Sequence, residues 1–378
     1  RSFETVHVAL DGSILGPHVE VRVDDPAYGR VEARADLDFL SPAAKNVAFR
    51  VEREGESAKG SIDEITVGPR VEVKRLRIEE GSIGTITGSI ALDGGDITGK
   101  MRAERLDLAR LRRLLSLPIP MSGLANLDID VQRTARGRRG FIEAEIADAT
   151  MLFVEGVGAR LSLRFDGDDV EGSGFVRVID RASDDEIAIY RLAQTGGVDD
   201  RGRSRAPIGE TIDREIRPSE VVLCDGPIAE VRFANAKGRL AGPLLSTKTW
   251  STAVGSADVA LDHADLGCLE RRVPSFLWPF DMARGLVTAR MRVVRDEGDA
   301  LPSVRDLHAS TIGLVVTGKD GSFESDTLDV ALSGSFEGAT GAIDANMAAY
   351  VHGTQDIVAW HGIGARFHEE PQVLHYGR

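Results

Sequence analysis

The stretch GLANLDIDV, Gly123–Val131, decides how the chain is read. Successive side chains of an extended strand point to opposite faces. Leu127, Ile129 and Val131 therefore share one face, and Asp128 and Asp130 take the other. The same alternation returns far away in LVTARMRVV, where Val287, Ala289, Met291 and Val293 interleave with Thr288, Arg290 and Arg292. It recurs in Val19, Val21 and Val23, in Val47, Phe49 and Val51, in Leu161, Leu163 and Phe165, and in Leu328, Val330 and Leu332. One apolar and one polar face per strand is the pattern of an antiparallel sheet wetted on one side.

Between these runs stand turn formers: Asp93-Gly94-Gly95, Asp166-Gly167-Asp168, Glu171-Gly172-Ser173-Gly174 and Lys319-Asp320-Gly321-Ser322. Asp-Gly steps supply the positive φ that tight hairpins need. Strands at this spacing number about 20 to 25. Two segments depart from the pattern in the same way. Asp107-Leu108-Ala109-Arg110-Leu111 runs on through Leu115, and Asp265-Leu266-Gly267-Cys268-Leu269 has the same shape. Each places an Asp at a helix N-cap, leucines at helical spacing behind it, and prolines beyond (Pro118 and Pro120, Pro274 and Pro279). The fold class expected is all-β: one long curled antiparallel sheet, an open apolar groove, and short helices near 107–115 and 265–269.

Four regions follow: a first groove unit over 1–194, a polar loop over 195–218, a second groove unit over 219–350, and an irregular tail over 351–378. The chain opens at Arg1 and reads as an internal piece of a longer protein.

The net charge of −14 speaks against a nucleic-acid surface, which needs a clustered basic field. The short basic runs Arg110–Arg112–Arg113 and Arg136–Arg138–Arg139 read as solvated faces. Cys224 and Cys268 form no disulfide framework, and whether they pair stays open at this point. The fold, held by ladders and a distributed apolar face, is expected not to depend on them. His361, His368 and His375 recur every seven residues without the tight pairs of structural zinc, so no metal is assigned. Asp166, Asp168 and Asp169, and Asp184-Asp185-Glu186, lack calcium-loop spacing. His308 and Ser310 lie in an alternating strand and not on a nucleophile elbow. The chain reads as a non-enzyme with no cofactor.

The segments GSIALDGGDITGKMRAERLDLARL, PIPMSGLANLDIDV and GSADVALDHADLGCLERRVPSFLWPFDMARGLVTARMRVV carry a resemblance. A strand, an Asp-Leu-x-x-Leu helix, a proline-rich turn and a Gly-Leu strand in succession resemble the TamB and AsmA-like group of bacterial envelope proteins. DLHASTIGLVVTGKDGSFESDTLDVALSGSF is similar in texture, and the resemblance covers most of residues 1 to 350. It implies a gutter with an apolar interior, reaching through the periplasm and anchored in the inner membrane by a segment absent here. It implies phospholipid as cargo and an outer-membrane barrel partner docking elsewhere. The lining would then be Val19, Val21, Val23, Val47, Phe49, Val51, Leu127, Ile129, Val131, Leu161, Leu163, Phe165, Val287, Met291, Val293, Leu328, Val330 and Leu332. Arginine at Ile129 or Met291 is expected to obstruct cargo and leave folding largely intact, with outward Asp130 as the control position. A structural or adhesive β-repeat with closed, dry cores is the alternative.

Overall fold

The computed structural model describes residues 5–25, 29–79, 83–115, 117, 120–134, 137–151, 154–180, 224, 226–273, 280–299, 301–318, 327–351 and 357–365. In chain order the first strands are β1 (Thr5–Ser13), β2 (Gly16–Asp25), β3 (Gly29–Asp38), β4 (Ala43–Arg53), β5 (Glu56–Thr66), β6 (Arg70–Ile78), β7 (Thr85–Asp93) and β8 (Asp96–Asp107). Helix α1 (Leu108–Leu115) leads to β9 (Met121–Thr134), β10 (Gly137–Met151), β11 (Val154–Gly167), β12 (Asp169–Asp180) and β13 (Gly226–Arg239). Helix α2 (Thr247–Ser251), β14 (Val254–Asp265) and helix α3 (Leu266–Arg272) follow. The last strands are β15 (Phe280–Arg295), β16 (Ser303–Gly318), β17 (Leu328–Phe336), β18 (Ala342–Val351) and β19 (Ile357–Ala365).

Every strand pairs antiparallel with the next, from β1–β2 to β18–β19, in a single meander. Among the described residues nothing pairs β1 with β19, so the sheet stays open. Two-residue hairpins set the register where the sequence has the right turn chemistry. Gly94 and Gly95 sit at φ 55° and 87° between paired Asp93 and Asp96. Positive φ at both central residues matches the twist of the flanking strands.

Bulges carry the curvature. Val73↔Ile90 gives way to Leu76↔Gly88, so Lys74 and Arg75 together oppose Ser89. Arg75 stands at φ 51°, and its N–H donates to Ser89 Oγ at 2.9 Å. Arg105, also at φ 51°, donates its N–H to Asn126 Oδ1 at 2.9 Å where Ala103↔Leu127 steps to Leu106↔Ala125. Gly313, at φ 64°, donates to Asp329 Oδ1 at 2.8 Å. In each case the single opposed residue supplies a short polar side chain that satisfies the extra backbone donor. A bulge bends and over-twists its strand. The three-residue step it makes also keeps Val73 and Leu76, and likewise Ala103 and Leu106, on the same face.

The helices lie on that apolar face. Asp107 caps α1, accepting from the Arg110 N–H at 3.0 Å, and Asp265 caps α3, accepting from the Cys268 N–H at 3.1 Å. Leu114 of α1 packs with Ala58 and Ile83, beside Val51 and Ile78. Arg113 donates from Nε and Nη2 to Glu56 Oε1 at 3.2 and 2.5 Å. Thus α1 touches both β9 and the distant β4–β5 hairpin. Five strand spacings along a flat sheet are about 24 Å, whereas eight helical residues span about 12 Å. The sheet must therefore curl toward its apolar side. Cys224 and Cys268 form a disulfide, with Cα atoms 5.7 Å apart, and pack with Ile228 against Val178 and Leu269.

Several expectations change. There are nineteen described strands, fewer than the spacing suggested, because single strands run up to sixteen residues, as in Ser303–Gly318. The tail expected to be irregular holds β19, whose Val358 and Trp360 pair in register with Ala349 and Met347 and extend the edge of β18. Arg138 is buried, not solvated: its Nε lies 2.9 Å from Asp96 Oδ1. The loop 195–218, Arg136, the 184–186 cluster, His368 and His375 lie outside the described residues. The sheet itself continues across that loop by direct β12–β13 pairing.

Candidate functional site: an apolar groove crossed by a strap

Directly opposed residues of an antiparallel pair share a face. Following such pairs sideways gives the row Val8, Val21, Ala33, Phe49, Gly60, Ile78, Ile86, Ala103, Leu127, Ala144, Leu161, Gly174, Phe233, Val259 and Met291. It crosses from β1 to β15 with no polar side chain. The other face is charged and internally paired. Lys100 Nζ meets Asp130 at 2.7 Å, Lys74 meets Glu64 at 2.7 Å, and Arg75 meets Asp63 at 2.6 Å. The hydrogen bond and charge of Asp130 hold the Lys100 ammonium above its ordinary pKa, and Glu64 does the same for Lys74. The outer face therefore stays ionised, and the contrast between the two faces is sharp.

Large side chains on the apolar face lie down on glycine. A Cβ at Gly60 would come within 2.8 Å of Phe49 Cζ, and one at Gly174 within 2.7 Å of the Phe233 ring. One at Gly172 would meet Leu163 Cδ2 at 2.8 Å. These contacts place each large group over the neighbouring strand's bare backbone, where it paves the face instead of filling the concavity.

Among the described residues the groove is crossed by α1, between β9 and the β4–β5 hairpin, and by a second, longer element. The segment from Leu240 to Ala253, which contains α2, folds back as a strap over the sheet. Leu240 and Leu244 pack with Ile129, Val131 and Phe165. Arg138 grips the Asp96 carboxylate and donates to the carbonyls of Leu240 and Gly242. The Leu245 N–H donates to Gly95 O at 3.1 Å, and the Leu240 N–H to Asp168 O at 2.8 Å. At the far end Arg295 donates to the Ser251 carbonyl.

All eighteen residues singled out from the sequence fall on the apolar face. Val23 reaches Ala58 through Val31 and Val51. Leu163 opposes Ile142, and Val47 opposes Ile62. Val293 opposes Val304, and Leu332 opposes Met347. Their surroundings differ, however. Val47, Ile129, Val131 and Phe165 are buried, and most of the others are half-exposed. Ile129 sits under the strap, so an arginine there has no route to water, contrary to the sequence expectation. Met291 belongs to no buried cluster and keeps an open side.

Sequence reading missed Leu240, Leu244 and Trp250, which sit in a Gly-Pro segment without periodicity. It also missed Ile78 and Ile86, which the bulge steps hid. His308 and Ser310 stay in β16, where the Ser310 hydroxyl bonds Thr288 Oγ1 at 2.8 Å on the wetted face. Among the described residues there is no group of three metal-ligating side chains, and no helix is long and apolar enough to cross a membrane. No protein-family model, curated protein or solved structure matches the chain.

Proposed function

We propose that this chain is a segment of a periplasm-spanning, TamB-like envelope protein that shields phospholipid acyl chains in its groove during transport between inner and outer membranes. Its inner-membrane anchor and its docking to an outer-membrane barrel partner belong to regions outside these residues. The observation that carries the reading is the unbroken apolar row across fifteen consecutive strands. An acyl chain leaving a bilayer forfeits about 0.8 kcal/mol per methylene, on the order of 10 kcal/mol for ~16 carbons. The row offers an apolar side chain or a glycine on every strand from β1 to β15, so the cover it gives is distributed along the sheet.

Two further features support it. The Cys224–Cys268 disulfide suits an oxidising compartment such as the periplasm. The hairpin tips along one rim carry exposed Ile14, Leu15, Phe39, Leu40 and Val67, an apolar fringe beside the groove mouth. The closed-core alternative draws little support, because the buried residues form three small clusters in a single open sheet.

The test is photocrosslinking in cells. A photoreactive residue at groove-facing Leu161 should capture phospholipid, and one at outward-facing Ser162 should not. Equal capture at both, or no phospholipid at either, overturns the reading.

A further inference from the structure

Beside the strap lies a hollow of about 260 Å³, running along the apolar face from Leu163 on β11 to Val293 on β15. Four strand spacings make it about 19 Å long. It is a trough open along one side and lined almost wholly by apolar surface. Its floor is bare where Gly238 opposes both Val170 and Gly255. Its wall is the strap. The Trp250 indole N–H donates to Leu244 O at 2.8 Å, so the ring's one polar atom is satisfied within the strap and the ring lines the slot as apolar surface. Trp250 is not packed down as a core residue: it remains 43% exposed, while Leu240 on the same strap is 2% exposed. The strap is tied at both ends through its carbonyls, by Arg138 and by Arg295, so the wall that Trp250 gives the hollow has fixed anchors.

We propose that this slot is a discrete binding site for one unbranched acyl chain, a holding position within the groove with the strap as its wall. The proposal rests on the lipid reading of the groove. A single extended chain matches the length and the almost wholly apolar lining of this trough.

Replacing Trp278 and Trp360 by Phe leaves Trp250 as the single tryptophan of the chain's three. Titrating that protein with parinaric acid, a fluorescent fatty acid, should quench Trp250 by energy transfer and saturate near one equivalent. Ala257→Phe, which fills the slot, should weaken this binding at least tenfold. Ala33→Phe, on the same face at β3, should not. Circular dichroism checks folding, and Val293→Phe replaces Ala257→Phe if the latter fails to fold. Non-saturating quenching, or a filled slot that binds as before, overturns the proposal. Phospholipid capture by a photoreactive residue at Phe49 separates the two levels. Capture at Phe49 with no saturable quenching removes the slot and leaves the groove reading standing, whereas loss of both removes the groove reading as well.

Discussion

At the scale of single residues, backbone geometry sets the harshest constraints. Gly140 lies at φ 142° on the apolar face opposite Val131, and a Cβ there would sit 1.8 Å from the Asp130 carbonyl oxygen. Gly55, at φ 81°, has nothing within 4 Å of its Cβ position. Alanine at Gly55 meets only the left-handed backbone penalty, of order 1 kcal/mol. Alanine at Gly140 adds a backbone collision, so its loss should exceed ~1 kcal/mol clearly, read as a larger fall in the urea midpoint. Charge adds a pH signature. Lys45 and the Ser41 hydroxyl and N–H hold the Asp38 carboxyl well below the usual carboxylate range. A depressed folded pKa stabilises above the unfolded value, near 4, and that contribution is lost as pH falls. The melting-temperature gap between wild type and Asp38→Asn should therefore be full at pH 6 and narrow steadily as pH falls below about 4. A gap of undiminished size at pH 2 would contradict it. None of this was legible beforehand, because left-handed Arg75 and Arg105 look like any other outward arginine in the sequence.

At the scale of elements, the helices were legible and the strap was not. Both Asp-Leu-x-x-Leu segments are capped helices because an aspartate accepting from the third residue onward is a local signal. The strap is held by partners over a hundred residues away, such as Arg138 to the Gly242 carbonyl, and no local period announces that. Removing one partner of a buried ion pair leaves the other charge stranded, at a cost of about 3–5 kcal/mol. Arg138→Ala should lose stability on that scale and also raise hydrogen exchange across Leu240–Ala253. A stability loss without strap exposure would show that the pair does not hold the strap. The disulfide is the other long-range tie. It closes a separation of 44 residues, for which chain entropy gives on the order of 4 kcal/mol as an upper value. The sheet is continuous on either side of it, so the double Cys→Ser protein should melt earlier yet keep its β-sheet circular dichroism.

At the scale of the whole molecule, period-two alternation was enough to read the architecture, because only one face is apolar. A one-residue slip would turn the entire apolar set outward, so register and facing are specified together. That logic also marks where a charge would interrupt the groove. Met291 closes the row that starts at Val8, pairs with Val259, and lies outside every buried cluster. An arginine at Met291 can lay its stem along the face and turn its guanidinium to the open side, so the fold should survive. Under the proposed lipid function, a passing acyl chain would meet a different balance, since stripping water from a poorly paired charge costs several kcal/mol while each methylene contributes only ~0.8 kcal/mol. Met291→Arg should therefore cut phospholipid transfer at least tenfold at near-normal stability. Asp130→Arg loses only the exposed pair with Lys100, worth about 0–1 kcal/mol, and leaves the apolar row untouched, so transfer should be unchanged. Ile129→Arg, buried beneath the strap, should instead fail in folding. The three variants, compared by melting temperature and by lipid transfer between donor and acceptor vesicles, separate obstruction of a conduit from damage to a core. Normal transfer in a folded Met291→Arg protein would mean that cargo does not cross β15 along this row.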